Sequence, residues 1–558
     1  MVLSNGDAAV TEVMQTLQLT VNRILEPAIP CDASDDRLPL MARSVHEYVA
    51  SLSAPWLRKY NVLYSRQHVF PDEIWCAIWN ETDLNTRVAV IHVCAHWRRL
   101  ALETSTLWAR LNIGPWFFRQ EDSTGDSQVV LMRILSLSSS HPLSITIHQP
   151  DQASAELFAT FLAACLDDQR HRIVALRLTG LGHFLCHELV KRLLVMPVLK
   201  FFTVEEGDWT SGYPWALSTQ DDLDWPVLER LELSDDLRWP LPMYRANVTL
   251  PRARVLSMRF DSVDDITSAV TACPQLEDLH IRVSRHGITL DPSFSRTLCQ
   301  GIDRIANVTI DRCTPALEHW YTGNFDHERH QQLFLQYDYA TYPACTIFSG
   351  LQSPIIQISF NLAESDQLVI RARDFTNRKR QVTVTFDEAH APGVMSNLAP
   401  QLLVQEVKRV IVDAPVLHAV GDTLWTPACD TLLLRVASQA DVFILSGRGS
   451  MLGFTCVTTV WIQALEDNLV LPLDIADAFL RRIRGGNSVL KRLIIDGLAL
   501  NGDPSNLNSF ADSVIHRGEV VKTHSDMPAP RVEPECEDPN GELAAEVLNL
   551  RRPRNESP

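Results

Sequence analysis

The chain has 558 residues, of which 46% are hydrophobic and 21% charged. This balance can bury a large core and excludes a wholly disordered protein. The net charge of −18, from 50 Lys and Arg against 68 Asp and Glu, disfavours nucleic acid and anionic lipid as partners and favours proteins.

The twelve cysteines are too few for a disulfide scaffold, and no two of them form a Cys-x-x-Cys pair. Residues 1–10 have neither a basic start nor an apolar run, so no secretory leader is expected, and no later stretch has about 18 consecutive apolar residues. We therefore expect mostly buried, reduced thiols and a cytoplasmic or nuclear protein that does not enter a membrane.

The two ends of the chain differ from its middle. Residues 1–60 carry apolar positions at helical spacing and predict an N-terminal helical segment. Residues 522–558 are rich in Pro and in acidic residues and predict a disordered tail, within which Leu543–Leu550 is a short apolar patch. This patch is interpreted as plain tail, with a transient helix or a docking peptide as the alternatives.

A compact helical segment follows residue 65. Pro71 with Asp72 and Glu73 predicts a helix start. The N–H groups of a first helical turn have no acceptors within the helix, so proline is tolerated there and acidic side chains are favoured. A second apolar series runs from Val90 to Ala101, with Arg87 expected on the polar side. A third helical element is expected around Leu107, Trp108 and Leu111.

The order of these residues resembles the F-box, a three-helix module of about forty residues. The matching stretches are Phe70-Pro71-Asp72-Glu73-Ile74, Ile78-Trp79, Val93-Cys94-Ala95-His96-Trp97-Arg98 and Leu107-Trp108. The sequence departs from the usual pattern at Phe70, Trp79 and Ala95, and Ala95 removes a charge that the family often carries. The resemblance places an F-box at residues 65–115.

The resemblance implies that this module docks on the Skp-type adaptor of a cullin ubiquitin ligase. A module this small cannot bury four tryptophans alone, so part of its apolar surface needs a partner. The residues expected to contribute to docking, or to the fold that permits it, are Phe70, Pro71, Ile74, Ile78, Val93, Cys94 and Trp97. The sequence does not separate those two roles.

Downstream, apolar-x-x-apolar-x-apolar triplets recur at leucine-rich-repeat spacing. Their central residues are Leu176, Phe202, Leu231, Met258, Leu279, Val308, Ile358, Val410, Val460 and Leu493. Pro197, Pro226 and Pro274 each stand five residues before a central residue, where proline suits the entry to a strand. The stretch Ala272–Ile281 resembles the repeat joint of F-box leucine-rich-repeat proteins.

The repeats are degenerate, because the expected Asn or Cys after the triplet occurs only as Cys313. The predicted fold class is therefore α/β: a three-helix F-box, then a degenerate leucine-rich-repeat solenoid over residues 140–515. We expect parallel strands on its concave face, helices and irregular segments outside, and weaker regularity between about Leu317 and Leu403.

Catalytic motifs are weak. Asp387-Glu388-Ala389-His390 follows an apolar strand as in helicases, but no phosphate-binding Gly-Lys loop exists. The glycines from Gly447 follow Val442–Leu445, expected to be a strand, and favour a turn between strands over a dinucleotide loop. The pairs His183/His187 and His327/His330 lack a third ligand. No catalytic, cofactor-binding or metal site is predicted.

The preferred hypothesis is thus a non-catalytic substrate receptor of an SCF-type ligase. The F-box would bind the Skp-type adaptor, and the repeats would bind an unidentified target protein. Two alternatives remain open: a protein-interaction scaffold that keeps the F-box fold without entering a ligase, and a hydrolase that uses Asp387–His390.

Overall fold

A computed structural model describes the greater part of the chain between residues 70 and 521. The described ranges are 70–114, 124–148, 164–180, 195–207, 224–233, 249–283, 301–337, 343–363, 367–385, 391–403, 406–423, 429–447, 456–484, 489–517 and 520–521, with isolated positions Leu19, Leu189, Ile288 and Phe454. Both terminal segments considered above lie outside these ranges. The chain divides into two compact units, 1–259 with 272–275 and 260–271 with 276–558.

The first unit opens with three short helices. These are α1 (Asp72–Asn80), α2 (Leu84–Val93) and α3 (Ala95–Glu103), followed by a 3₁₀ turn at Ser105–Trp108. The expected helix from Val90 to Ala101 is wrong in one respect, because Cys94 is extended and divides it into α2 and α3. The third expected element is a 3₁₀ turn that leads into a strand, and Leu111 lies on that strand.

A parallel sheet fills the rest of the first unit. Its strands are β1 (Arg110–Ile113), β2 (Leu143–His148), β3 (Ile173–Gly180), β4 (Phe201–Gly207), β5 (Arg230–Leu233) and β6 (Val255–Phe260). Each strand pairs in parallel with the next one along the chain. Helix α4 (Thr124–Leu137) lies between β1 and β2 in the chain. Chain-ordered parallel pairing is what stacked repeats require.

Each of three strand entries in this sheet contains a proline-initiated β-turn. The amide of Leu199 donates to Met196 O at 3.3 Å, that of Leu228 to Trp225 O at 3.2 Å, and that of Ala253 to Leu250 O at 3.1 Å. The residues after the acceptors are Pro197, Pro226 and Pro251. Proline has the φ that the second position of such a turn needs, so the local sequence favours the same bend each time.

One predicted repeat is out of register. Leu231 on β5 pairs with Leu256 on β6, so the central residue of that repeat is Leu256 and not Met258. The corrected triplet Ala253, Leu256 and Met258 is buried, whereas Val255, the first residue of the predicted one, is only partly buried. Pro251 then stands five residues before the central residue, as the other three prolines do.

The second unit contains the remaining elements. Its helices are α5 (Val263–Ala272), α6 (Pro315–Asn324), α7 (Ala391–Leu403), α8 (Leu417–Thr423), α9 (Gln439–Ile444) and α10 (Leu473–Arg484). Its main strands are β7 (Asp278–Val283), β8 (Asn307–Cys313), β9 (Gln332–Tyr337), β10 (Ile355–Ala363), β11 (Gln367–Asp374), β12 (Lys379–Thr385), β13 (Val407–Asp413), β14 (Thr431–Val436), β15 (Thr459–Ala464), β17 (Leu490–Asp496) and β19 (Ala511–Arg517). A small parallel sheet joins β16 (Val470–Pro472), β18 (Ala499–Asn501) and β20 (Val520–Val521).

Strand order in the second unit departs from chain order at one place. The pairing runs β7–β8–β9–β12–β11–β10–β13–β14–β15–β17–β19, and β11 is antiparallel to both of its neighbours. Asp374 forms the tight turn between β11 and β12 by accepting hydrogen bonds from the amides of Thr376 and Arg378. A turn this short can join only antiparallel strands. The inversion falls within 317–403, where weaker regularity is expected.

The second and third residues of all ten predicted triplets lie on strands and are buried, whereas the first residue precedes the strand in five of them. A mixed α/β fold with mostly parallel pairing is thereby confirmed. The expected strand at Val442–Leu445 is wrong, since helix α9 occupies it up to Ile444. Ser438 and Asp441 form a capping box that starts this helix, which local apolar content alone does not reveal.

Candidate partner-binding site

The seven residues predicted for docking all lie in the three-helix module of residues 70–108. Four of them are large apolar side chains that remain exposed: Phe70 at 48%, Ile74 at 44%, Ile78 at 44% and Val93 at 60%. Single exposed apolar side chains are ordinary on protein surfaces. Four within one small module indicate a surface that is suited to a partner.

Three of the four belong to one end of the module. Ile74 and Ile78 are one turn apart on α1 and therefore lie on the same face. Phe70 directly precedes the helix, and its ring meets Trp75 edge-on with 5.5 Å between centroids. This contact restricts the orientation of Phe70 while leaving half of its side chain open to solvent.

A cluster of three tryptophans joins α1 and α3. Trp97 on α3 packs against Trp75 at 4.9 Å and against Trp79 at 5.2 Å between ring centroids. Trp79 is buried, and Trp75 and Trp97 are partly buried. Trp97, one of the predicted docking residues, thus packs α3 against α1.

Pro71 and Cys94 are placed at helix starts. Pro71 precedes α1, whose first turn contains the acidic Asp72 and Glu73. Cys94 precedes α3, and its Sγ accepts a hydrogen bond from the amide of Trp97 at 3.4 Å. Both residues therefore stand where they set the geometry of the backbone at a helix start.

Arg87 does not lie on the polar side of its helix, so that prediction is wrong. Its side chain is only 6% exposed and lies inside the module. The guanidinium donates hydrogen bonds to five backbone carbonyls, of Trp79, Asn80, Thr82, Leu107 and Arg110, at distances from 2.6 to 3.1 Å. An arginine one turn from apolar residues looks polar-facing in a helical pattern, and no local signal distinguishes it.

These bonds join the C-terminal end of α1 to the 3₁₀ turn and to β1. The carbonyls at a helix end lack partners within the helix, so a planar group with five N–H donors suits them well. Arg87 therefore fixes the position of α1, and with it Ile74 and Ile78, relative to the rest of the module. Burial lowers the pKa of Arg87 below its usual value.

Charged side chains flank the exposed apolar residues, such as Asp72 and Glu73 between Phe70 and Ile74. His96 Nε2 lies 2.9 Å from Asp72 Oδ1, which links α3 to the first turn of α1. Asp83 caps α2, and the hydrogen bonds from Thr86 lower the pKa of Asp83. Ala95 is exposed at the start of α3, so the charge that the F-box pattern often carries there has no substitute at this position.

Of the histidine pair His327/His330, only the His330 ring belongs to a buried polar network, whereas Nε2 of His327 has no hydrogen-bond partner among the described residues. Tyr321 Oη lies 2.8 Å from His330 Nε2, and His330 Nδ1 lies 2.7 Å from Ile305 O. Both ring nitrogens of His330 are occupied, because a neutral imidazole can accept from the phenol and donate to the carbonyl. Burial lowers the pKa of His330 and keeps it neutral. This histidine has no free nitrogen for a metal.

A second buried polar centre lies on α6. Glu318 is fully buried, and its carboxylate accepts hydrogen bonds from Tyr337 Oη, Ala344 N, Thr346 Oγ1 and Ile347 N. All four donors come from the segments that follow α6 in the chain. The arrangement is a closed structural network with both oxygens occupied, so it offers no free group for catalysis.

The remaining catalytic alternatives receive little from the described residues. Asp387–His390 and the pair His183/His187 lie outside them. Within the described ranges, no group of three His, Cys, Asp or Glu side chains could hold a metal ion. The eight cysteines placed there are free thiols, and five of them are buried.

None of the helices that can be described is long and apolar enough to cross a bilayer. A scan of known protein families finds none that matches the chain, and a search of curated proteins finds no relative.

Proposed function

We propose that the protein is the substrate-binding subunit of an SCF-type ubiquitin ligase, in the cytoplasm or nucleus. The module at residues 70–108 would act as the F-box and bind the Skp-type adaptor, and a degenerate leucine-rich-repeat array would hold a target protein. The observation that carries this proposal is the exposure of Phe70, Ile74, Ile78 and Val93 on the module.

The geometry supports a rigid docking surface. The tryptophan cluster and the hydrogen bonds of Arg87 stabilise the backbone from which these side chains project. A preorganised surface loses little conformational entropy on binding, so the burial of its apolar side chains contributes more of its free energy to affinity. Large apolar side chains entering a helical groove are the usual anchors of such contacts.

The repeat region supports the second half of the proposal. Parallel strands with buried apolar triplets present their remaining side chains on the opposite face of the sheet. This arrangement gives a broad surface of alternating polar and apolar groups. Holding a target there while the ligase scaffold binds the module makes ubiquitin transfer effectively intramolecular.

The test is co-purification of the full-length chain with a purified Skp-type adaptor. Ile74→Asp combined with Ile78→Asp should weaken binding at least about 10²-fold. In the complex, the two apolar side chains that the adaptor would bury are then replaced by carboxylates that must lose their water. Amide exchange of the strands should stay unchanged. Binding that survives this double substitution would refute the assignment of the interface.

A matched control lies on α4. Val129 and Val130 are exposed by 67% and 47%, and they lie outside the three-helix module. Val129→Asp with Val130→Asp makes the same chemical change and should leave adaptor binding intact. If the wild-type chain does not bind the adaptor, the scaffold alternative is favoured, and the missing charge at Ala95 is the feature to restore first, as Ala95→Arg.

A further inference from the structure

A row of basic side chains crosses the second unit on the sheet face opposite the buried triplets. Its members are Lys379 on β12, Arg373 on β11, Arg409 on β13 and Arg492 on β17. Strand pairing aligns them in the sequence of partners Lys379↔Arg373↔Gln357↔Arg409↔Thr431↔Thr459↔Arg492. Within the described part of the chain, none of these four side chains has an ion-pair partner. We call them the basic row.

An apolar row runs beside it, two residues further along each strand. Pairing places Ile411, Leu433, Trp461, Ile494 and Ile515 next to one another across β13, β14, β15, β17 and β19. Ile411 and Leu433 are buried, whereas Trp461, Ile494 and Ile515 are only partly buried. The indole N–H of Trp461 has no acceptor among the described residues. We call these five residues the apolar row.

Packing within the unit covers one end of the apolar row and leaves the other partly open: Ile411 and Leu433 are buried, whereas Trp461, Ile494 and Ile515 are partly exposed. The core is formed by the triplets on the other face, such as Val410 with Val412 and Val460 with Ile462. Apolar side chains that alternate with these residues project away from that core. A partly exposed apolar strip beside unpaired cations fits an extended segment that carries both carboxylates and apolar side chains.

The chain itself contains such a segment. Between residues 532 and 550 there are six carboxylates and no Lys or Arg, although basic residues stand at Arg531 and Arg551. The carboxylates are Glu533, Glu535, Glu537, Asp538, Glu542 and Glu546, and the apolar residues that follow or interleave are Leu543, Val547, Leu548 and Leu550. The acidic and apolar composition matches the basic and apolar rows.

The tether is long enough. The description ends at Val521 on β20, twelve residues before Glu533. Twelve extended residues span about 40 Å. Seven strand intervals separate β19 from β12, the far end of the basic row, and at about 4.8 Å each they span roughly 34 Å. Val521 is at most four residues, about 13 Å, from Arg517 at the end of β19, so the far end of the basic row lies within about 47 Å of it. The sixteen residues from Val521 to Glu537 span about 53 Å when extended, so residues 537–550 reach every position of both rows.

We propose that residues 533–550 bind in cis across the second unit, with their carboxylates on the basic row and their apolar side chains on the apolar row. A short tether gives a local concentration in the millimolar range, so even a weak contact is well populated. Any acidic partner of this face must then displace the tail. This inference does not depend on adaptor binding.

Carbodiimide cross-linking of the full-length chain tests this docking directly, since it joins a carboxylate and an amine in contact through an amide bond. Lys379 supplies the amine in the basic row, and Arg409→Lys and Arg492→Lys add two more without changing the charge. Lys200 and Glu229, whose charged atoms are 3.0 Å apart, provide the positive control. Mixed ¹⁴N- and ¹⁵N-labelled protein distinguishes links within one molecule from links between two.

We expect amides between Lys379 and residues 533–546 in which both peptides carry the same isotope. Reversing four charges, as Glu533→Lys, Glu535→Lys, Glu537→Lys and Asp538→Lys, should lower the yield about tenfold while the Lys200–Glu229 link is unchanged. Reversing the basic row as well, with Arg373→Glu, Arg409→Glu and Arg492→Glu, should restore links of the opposite polarity.

Two results would overturn the proposal. Mixed-isotope links at Lys379 would assign the face to a second copy of the chain. An absence of links from Lys379 and both added lysines, with the Lys200–Glu229 link formed, would show that the tail does not occupy it. Neither result bears on adaptor binding, so the proposed function is tested separately.

Discussion

Replacing Arg87 should lower the stability of the three-helix module that carries the exposed apolar residues. Arg87→Met keeps the length and the apolar stem of the side chain but removes all donors to the five carbonyls. Most of these carbonyls lie at buried or partly buried positions, so several acceptors lose their partner without gaining water. Buried polar groups left unpaired cost about 1–3 kcal/mol each.

Part of this cost is recovered, since the desolvation of the guanidinium is also removed. We therefore expect Arg87→Met to destabilise the module by about 3–4 kcal/mol. Arg87→Lys should lower the stability of the module less than Arg87→Met does. It should still be destabilising, because a compact ammonium with three donors cannot reach all the carbonyls that the planar guanidinium of Arg87 bridges.

Native-state amide exchange is the suitable assay, since a chain with two compact units need not unfold in one step. If exchange occurs through local opening, 3–4 kcal/mol corresponds to about 10²- to 10³-fold faster exchange of the α1 amides. The strands of the second unit should exchange at their original rate. Arg99→Met, on the exposed face of α3, is the matched control and should change exchange by less than about 0.5 kcal/mol. A loss below about 1 kcal/mol in Arg87→Met would refute the role given to these hydrogen bonds.

Three further predictions concern the interior and the turns. In the wild type, four donors bond the carboxylate of Glu318, and Glu318→Gln replaces one of its oxygens by an NH₂ group that cannot accept. The substitution should lower the free energy of unfolding of the second unit by about 2–4 kcal/mol in urea titrations, and an unchanged midpoint would contradict this. The lowered pKa of His330 means that the unfolded chain takes up a proton first, so stability is complete above pH 6.5 and falls as the pH drops towards the folded pKa. His330→Gln should reduce this loss between pH 7 and 5, whereas His319→Gln, on the exposed side of α6, should not. Pro226→Ala should cost about 0.4–1 kcal/mol by freeing the unfolded chain, and a larger loss would indicate a packing role instead.

The repeat pattern shows how much of the fold the sequence predicts. The apolar triplets identify ten of the twenty strands in the described part of the chain, because buried and exposed side chains alternate along a strand. The prolines add the entry turns, and Pro251 would have revealed the correct register at Leu256. The triplet pattern also admits Met258 as the central residue instead of Leu256, because apolar residues at both positions complete it. The pattern alone does not specify which of two such positions is the centre of the repeat.

The candidate site divides in the same way. The sequence placed all seven predicted docking residues in one helical module, but it could not tell which of them are exposed and which pack inside the module. Ile74 and Ile78 remain open to solvent while Trp97 packs on two other tryptophans, and this difference arises from where α3 crosses α1. Crossing geometry depends on all three helices together.

By itself the sequence determined the features that depend on neighbouring residues: the helix starts at Pro71 and Asp72, the apolar triplets and the proline turns. The tertiary structure alone decided the burial of Arg87, the inverted order of β10 to β12, and the alignment of the basic and apolar rows. These depend on which carbonyls surround a charge and which strands become neighbours. Such contacts join residues that are far apart in the chain, and no local pattern of side chains encodes them.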